Sequence, residues 1–78
     1  MEGKWIRGHI KDYQFEAKVS EYKTPNGING GKVSVLIIKN KFNVIVEYNG
    51  KWNIRPTKTL LAYFNDVMSQ LENGVKYT

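Results

Sequence analysis

The stretch KVSVLIIKNKFNVIVEYNGKWNI, residues 32–54, decides the fold because it joins two long apolar segments and a third short one by turn residues. Its Val, Ile and Tyr residues are typical of strands. We expect the first two segments to pair around Asn40-Lys41, with Val35 opposite Val46 and Leu36 opposite Ile45. Both faces of this hairpin are apolar, which is typical of the central strands of a sheet.

The turn YNGK, residues 48–51, leads into the third segment. A two-residue turn would place Trp52 on the opposite face from Val46. A three-residue loop with a left-handed Gly50 and a bulge places both on one face, and we favour this arrangement.

A second hairpin is predicted nearer the start of the chain. KWIRGHI, residues 4–10, and QFEAKVSEY, residues 14–22, both alternate between apolar and polar side chains. With Asp12-Tyr13 as the loop, Ile6 lies opposite Val19, and the apolar residues share one face.

The chain after Pro56 has the apolar spacing of one amphipathic helix. Thr57 is a suitable N-cap, and Asn73-Gly74 is a typical helix end. The apolar residues are Leu60, Leu61, Phe64, Val67, Met68 and Leu71. The prediction is one α+β domain over residues 1–78. A five-stranded antiparallel β-meander occupies about 4–56, one C-terminal α-helix over about 57–73 packs across one of its faces, and a short tail covers 74–78.

Composition narrows the class of protein. The 78 residues have a net charge of +5, and the excess of Lys and Arg lies before Pro56. This charge favours an anionic partner or simply good solubility. There is no cysteine, no apolar run long enough to span a membrane and no apolar segment typical of a signal peptide. We therefore expect a basic, cytoplasmic protein.

The sequence matches motifs for catalysis or ligand binding only poorly. The segment TPNGINGGK, residues 24–32, resembles a phosphate-binding loop, but Asn26 replaces the first glycine and a strand follows it. It is better explained as a link between the hairpins, with Lys32 available to a partner. His9 is the one histidine, with Glu16 as its expected cross-strand neighbour, which is ordinary sheet pairing. We expect no enzyme activity, no metal, no cofactor and no small-molecule substrate.

One helix covers one face, so the other face is the candidate site. Its expected apolar stripe is Leu36, Ile38 and Ile45, which the loop through Ile28, the C-terminal segment, a second copy or a partner would cover. A protein partner or a homodimer is favoured, and nucleic acid is the alternative. The predicted binding residues are Trp5, Arg7, Lys18, Lys32, Leu36, Ile45 and Arg55.

Three segments resemble a family of small uncharacterised proteins of Gram-positive bacteria, their phages and mobile elements. They are FEAKV, residues 15–19, GINGGKVSVL, residues 27–36, and GKWNIRP, residues 50–56. The family pattern has no residue between the glycine and the tryptophan of the last segment, where this chain has Lys51. The resemblance covers residues 5–56 and implies a domain of unknown function from a phage or mobile element, and no reaction or cofactor.

Overall fold

The computed structural model describes residues 3–10 and 12–72. Five antiparallel strands form one sheet in chain order, and a helix follows them. The strands are β1 Lys4–Ile10, β2 Tyr13–Val19, β3 Val33–Lys39, β4 Val44–Asn49 and β5 Trp52–Ile54, and the helix is α1 Leu61–Glu72. This architecture confirms the predicted α+β meander with one C-terminal helix. The predicted helix end at Asn73-Gly74 and the tail 74–78 lie outside the described residues.

The helix begins with a tighter turn than expected. A 3-10 turn, Lys58–Leu60, leads directly into α1. Thr57 has the extended backbone of an N-cap residue, but its side chain makes no capping hydrogen bond. The backbone N–H of Leu60 donates to the Thr57 carbonyl instead, which closes the first turn.

The β1–β2 hairpin has the predicted faces but a different register. Ile10 pairs with Tyr13 and Ile6 pairs with Ala17, so Tyr13 belongs to the strand and not to the loop. The register is two residues away from the predicted one. A shift by an even number of residues keeps every side chain on its face, so the predicted faces of β1 and β2 are confirmed.

The β3–β4 hairpin was predicted wrongly, and the error changes a face. Ile38, and not Val35, lies opposite Val46. The cause is the loop, which contains residues 40–43 because the Asn40 side chain accepts hydrogen bonds from the backbone N–H groups of Phe42 and Asn43 at 2.9 and 2.8 Å. A shift by three residues turns Val35 and Ile37 away from the helix and brings Leu36 to it.

The β4–β5 loop confirms the three-residue prediction. Gly50 has φ 75°, and the backbone N–H of Asn49 donates to the Lys51 carbonyl at 3.0 Å. Trp52 lies opposite Tyr48, two residues from the predicted partner Val46 and on the same face.

The core lies between the sheet and α1. Phe64, Val67 and Leu71 of the predicted helix stripe are buried, Leu60 and Met68 are partly buried against them, and Leu61 is exposed. Removal of this apolar surface from water is the main stabilising contribution in so small a domain. The sheet and loop residues buried with the helix are Phe15, Ala17, Ile28, Val33, Leu36, Ile38, Val46 and Tyr48.

Residues 24–32, which we call the glycine loop, also pack on the helix side. The backbone N–H of Thr24 donates to the Gly31 carbonyl at 2.9 Å, and the Tyr48 hydroxyl donates to the Asn26 carbonyl at 2.7 Å. These bonds hold Ile28 in the core, where 1% of its surface is exposed. The loop is therefore a folded link between the two hairpins and part of the core layer.

Candidate functional site

The sheet has one face turned away from the helix, and we call it the open face. Directly opposed residues of antiparallel strands share a face, so the register identifies its members. Both α1 and the glycine loop pack on the other side, through Ile28, Phe64 and Leu71. The open face carries Trp5, Arg7, His9, Gln14, Glu16, Lys18, Val35, Ile37, Lys39, Val44, Glu47, Asn49 and Ile54.

Three of the predicted binding residues lie together on the open face. Trp5 lies directly opposite Lys18, and its side chain has 58% of its surface exposed. Arg7 lies opposite Glu16, and its Nε is 3.2 Å from the Glu16 Oε2. Their placement follows the alternation of β1 and β2, and their role in binding stays a prediction.

The predicted apolar stripe does not exist on this face. Leu36 has 0% of its surface exposed and Ile38 has 3%, and both belong to the core beneath α1. Ile45 is partly buried against the same core. The cause is the longer β3–β4 loop, so Leu36 is not a surface residue for a partner, whereas Ile45 keeps part of its surface exposed.

The apolar centre of the open face is instead made by Val35 and Ile37 of β3. Both are half-buried, and Ile37 lies between Glu16 of β2 and Glu47 of β4. Sequence reasoning missed them because the run VSVLII is apolar on both faces, so alternation cannot say which residues point at the helix.

Arg55 differs from the predicted placement, whereas Lys32 lies on the glycine loop, where the sequence placed it. The Arg55 guanidinium carbon lies 5.4 Å from the centre of the Trp52 ring, a cation–π contact on the helix side of the sheet. Lys32 ends the glycine loop, where its backbone N–H donates to the Glu72 Oε2 at 2.8 Å. Arg55 therefore does not join Trp5 on the open face.

Glu72 connects the end of the helix to the glycine loop, and sequence reasoning missed it. Its Oε2 also accepts from the backbone N–H of Val33, at 3.3 Å. Gly31 fits beside this carboxylate because it has no side chain, since a Cβ there would collide with the Glu72 oxygens. Lys32 and Val33 lie 40 and 39 residues before Glu72 in the chain, so no local sequence motif indicates these contacts.

The charge of the open face is nearly balanced. Arg7, Lys18 and Lys39 oppose Glu16 and Glu47, so three cations face two carboxylates. Most of the net charge of +5 therefore lies elsewhere on the molecule. The carboxylates flank the apolar centre, where they would repel a phosphate backbone.

His9 and Glu16 are not direct cross-strand partners in the structure. His9 lies opposite Gln14 and not opposite Glu16, because of the two-residue change in register. Among residues 3–10 and 12–72, no group of three or more His, Cys, Asp or Glu side chains is placed to hold a metal ion. In the same part of the chain, no helix is long and apolar enough to cross a membrane.

The fold defines a class of small α+β proteins in which one helix covers a five-stranded meander. Within that class, a family model described as "Domain of unknown function (DUF7678)" matches residues 4–72, and the chain belongs to this family. The match includes α1, which the sequence resemblance did not cover. No curated protein and no solved structure matches the chain.

Proposed function

We propose that the protein is a small non-enzymatic binding protein that contacts a protein partner, or a second copy of itself, through the open face. The observation that supports this most is the exposed Trp5 side chain at the margin of a face whose centre is Val35 and Ile37. An exposed tryptophan and an arginine beside aliphatic side chains is the composition found where protein contacts have most of their binding energy.

A protein partner fits the open face better than nucleic acid. Nucleic-acid binding depends on cations that neutralise many phosphates, without carboxylates among them. Here Arg7 is already paired with Glu16, and Glu47 lies on the other side of Ile37. A partner surface with a hydrophobic centre and both signs of charge around it would meet complementary groups at every position.

The setting of this function is also part of the proposal. The three motif segments resemble small accessory proteins of phages and mobile elements of Gram-positive bacteria, and such a protein would work in the cytoplasm of the host. The absence of cysteine is consistent with a reducing compartment. A binding role suits an accessory protein because it needs only a rigid surface on a small scaffold.

The test compares three variants as bait in the cell that expresses the gene. Trp5→Ala and Ile37→Ser alter the open face, whereas Leu61→Ala removes an exposed side chain from the helix on the other side of the sheet. A protein recovered by the wild type and by Leu61→Ala, and lost with the other two, is then purified and its affinity for each variant is measured. Equal affinity of all variants for every recovered protein would refute the proposal.

Nucleic-acid binding is measured with the wild type and with two further variants. A salt-dependent retardation of DNA or RNA that Arg7→Ala and Lys18→Ala both weaken would favour the alternative function. Circular dichroism of each variant shows that lost binding is not lost folding.

A further inference from the structure

Among the described residues, the longer of the two sheet edges belongs to β1. In the strand order the two edge strands are β1, with seven residues, and β5, with three. A long edge strand presents a row of backbone donors and acceptors to any strand that can align with it. From the register of β1 we infer that a second copy of the chain pairs with it, antiparallel, about a two-fold axis at Ile6.

The backbone groups that face outward can be assigned from the hairpin. Ile10 and Tyr13 enclose a loop of two residues, so they form a hydrogen-bonded pair, and such pairs alternate along the strands. Gly8 and Ile6 therefore also bond to β2. The N–H and C=O groups of Trp5, Arg7 and His9 point away from β2, toward the edge.

The side chains of β1 favour a register with its axis at Ile6 over the fully aligned register with its axis at Arg7. In an antiparallel pair of identical strands, directly opposed residues share a face. A two-fold axis perpendicular to the sheet must therefore pass between one residue of β1 and the same residue of the second copy. An axis at Arg7 would set two arginines directly opposite each other, which like charges oppose. An axis at Ile6 sets Trp5 opposite Arg7 of the second copy, and Arg7 opposite its Trp5.

The register at Ile6 gains contacts on both faces of the sheet. On the open face, each Arg7 guanidinium keeps its Nε at Glu16 and turns its plane to the tryptophan of the other copy, which gives two cation–π contacts. On the helix side, the two Ile6 side chains meet at the axis. A depression of about 440 Å3, lined by Lys4, Ile6 and Val19 among others, lies beside them and receives the added isoleucine.

This contact goes beyond the proposed function because it uses the backbone edge of β1 and leaves Val35 and Ile37 free. It joins two open faces into one continuous surface of ten strands, with both Trp5 side chains at its middle. Since one strand pair buries less surface than a standard interface of about 1,600 Å2, the dimer is weak and depends on concentration.

The native chain has no cysteine, so single cysteines report the register directly. At the axis, Ile6→Cys places two sulfurs within disulfide distance, since opposed residues of this kind have Cα atoms about 4.5 Å apart. Tyr22→Cys is the matched control, because 77% of the Tyr22 surface is exposed and it lies outside the strands.

Oxidation should join Ile6→Cys into a covalent dimer at least about tenfold faster than Tyr22→Cys, because pairing raises the local thiol concentration. A rate for Ile6→Cys no higher than that of Tyr22→Cys overturns the pairing about an axis at Ile6. Ile37→Ser, which tests the proposed function, should leave the cross-linking rate unchanged because Ile37 lies two strands from the edge.

The wild type gives a test that needs no core substitution. Amide exchange measured by NMR from about 10 μM to about 1 mM should show the N–H groups of Trp5 and Arg7 becoming protected as the weak dimer forms. Sedimentation equilibrium over the same range should show the matching rise in mass. Exchange and mass that do not change across the range overturn the inference.

Discussion

Glu72→Ala should destabilise the protein more than any other single change at the surface of the helix. The substitution removes the acceptor of two backbone N–H groups, at 2.8 Å from Lys32 and 3.3 Å from Val33. A hydrogen bond to a charged group contributes about 1.5–3 kcal/mol. Since the second bond is long and the site is half-buried, we expect a total loss of about 2–3 kcal/mol in the free energy of unfolding.

The loss should be easy to measure without abolishing the fold. A chain of this length has a free energy of unfolding of about 4–12 kcal/mol, and each 1 kcal/mol changes Tm by about 4–8 °C. Thermal unfolding followed by circular dichroism should therefore show Tm lower by about 10–20 °C. Glu21→Ala, at an exposed glutamate, is the control and should change the free energy of unfolding by less than about 0.5 kcal/mol.

A double-mutant cycle of Glu72 with Gly31 tests whether the loss comes from the contact between the Glu72 carboxylate and the glycine loop, or from a general weakening of the end of the helix. Gly31 has an extended backbone, so alanine is tolerated there except for the collision with the Glu72 carboxylate. Gly31→Ala alone should cost about 1–3 kcal/mol. In the Glu72→Ala background the collision is gone. The loss of unfolding free energy in the double variant should therefore be smaller than the sum of the two single losses, by at least about 1 kcal/mol. Additivity within about 0.5 kcal/mol would refute the contact.

Two pairs of substitutions test the sheet by the same unfolding measurement. Leu36→Ala should cost about 2–5 kcal/mol because Leu36 is fully buried, whereas Ile37→Ala on the half-exposed open face should cost clearly less, and the opposite ranking would contradict the register. Gly50→Ala should cost about 1 kcal/mol because Gly50 has φ 75° with nothing within 4 Å of a new Cβ, and Gly50→Asn should cost less since asparagine tolerates this conformation. Equal losses for alanine and asparagine would show that the backbone conformation is not the cause.

The sequence predicts the architecture well because alternation, turn residues and helical spacing agree with one another. The helix stripe is an example, since Phe64, Val67 and Leu71 are all buried as their spacing indicates. The β1–β2 register was wrong by two residues, yet the faces were right, because side chains in a strand repeat every two residues.

The candidate site was harder to predict because it depends on one loop. The residues of β3 are apolar on both faces, so only the length of the β3–β4 loop decides whether Leu36 or Ile37 points at the helix. That length is set by the Asn40 side chain, which accepts two backbone hydrogen bonds across the loop. An Asn-Lys pair at a strand end does not distinguish this loop from a two-residue turn. The role of Glu72 could not be predicted from local sequence patterns either, because its hydrogen-bond partners are distant in the chain.

The orientation of β3 is the central claim, since it defines both the core and the open face. Labelling of single cysteines at positions 35, 36, 37 and 38 under native conditions tests it directly, because the native chain contains no thiol that would compete. The structure predicts fast labelling of Val35→Cys and Ile37→Cys, and labelling of Leu36→Cys and Ile38→Cys that waits for unfolding. Fast labelling at 36 and 38 with protection at 35 and 37 would contradict it.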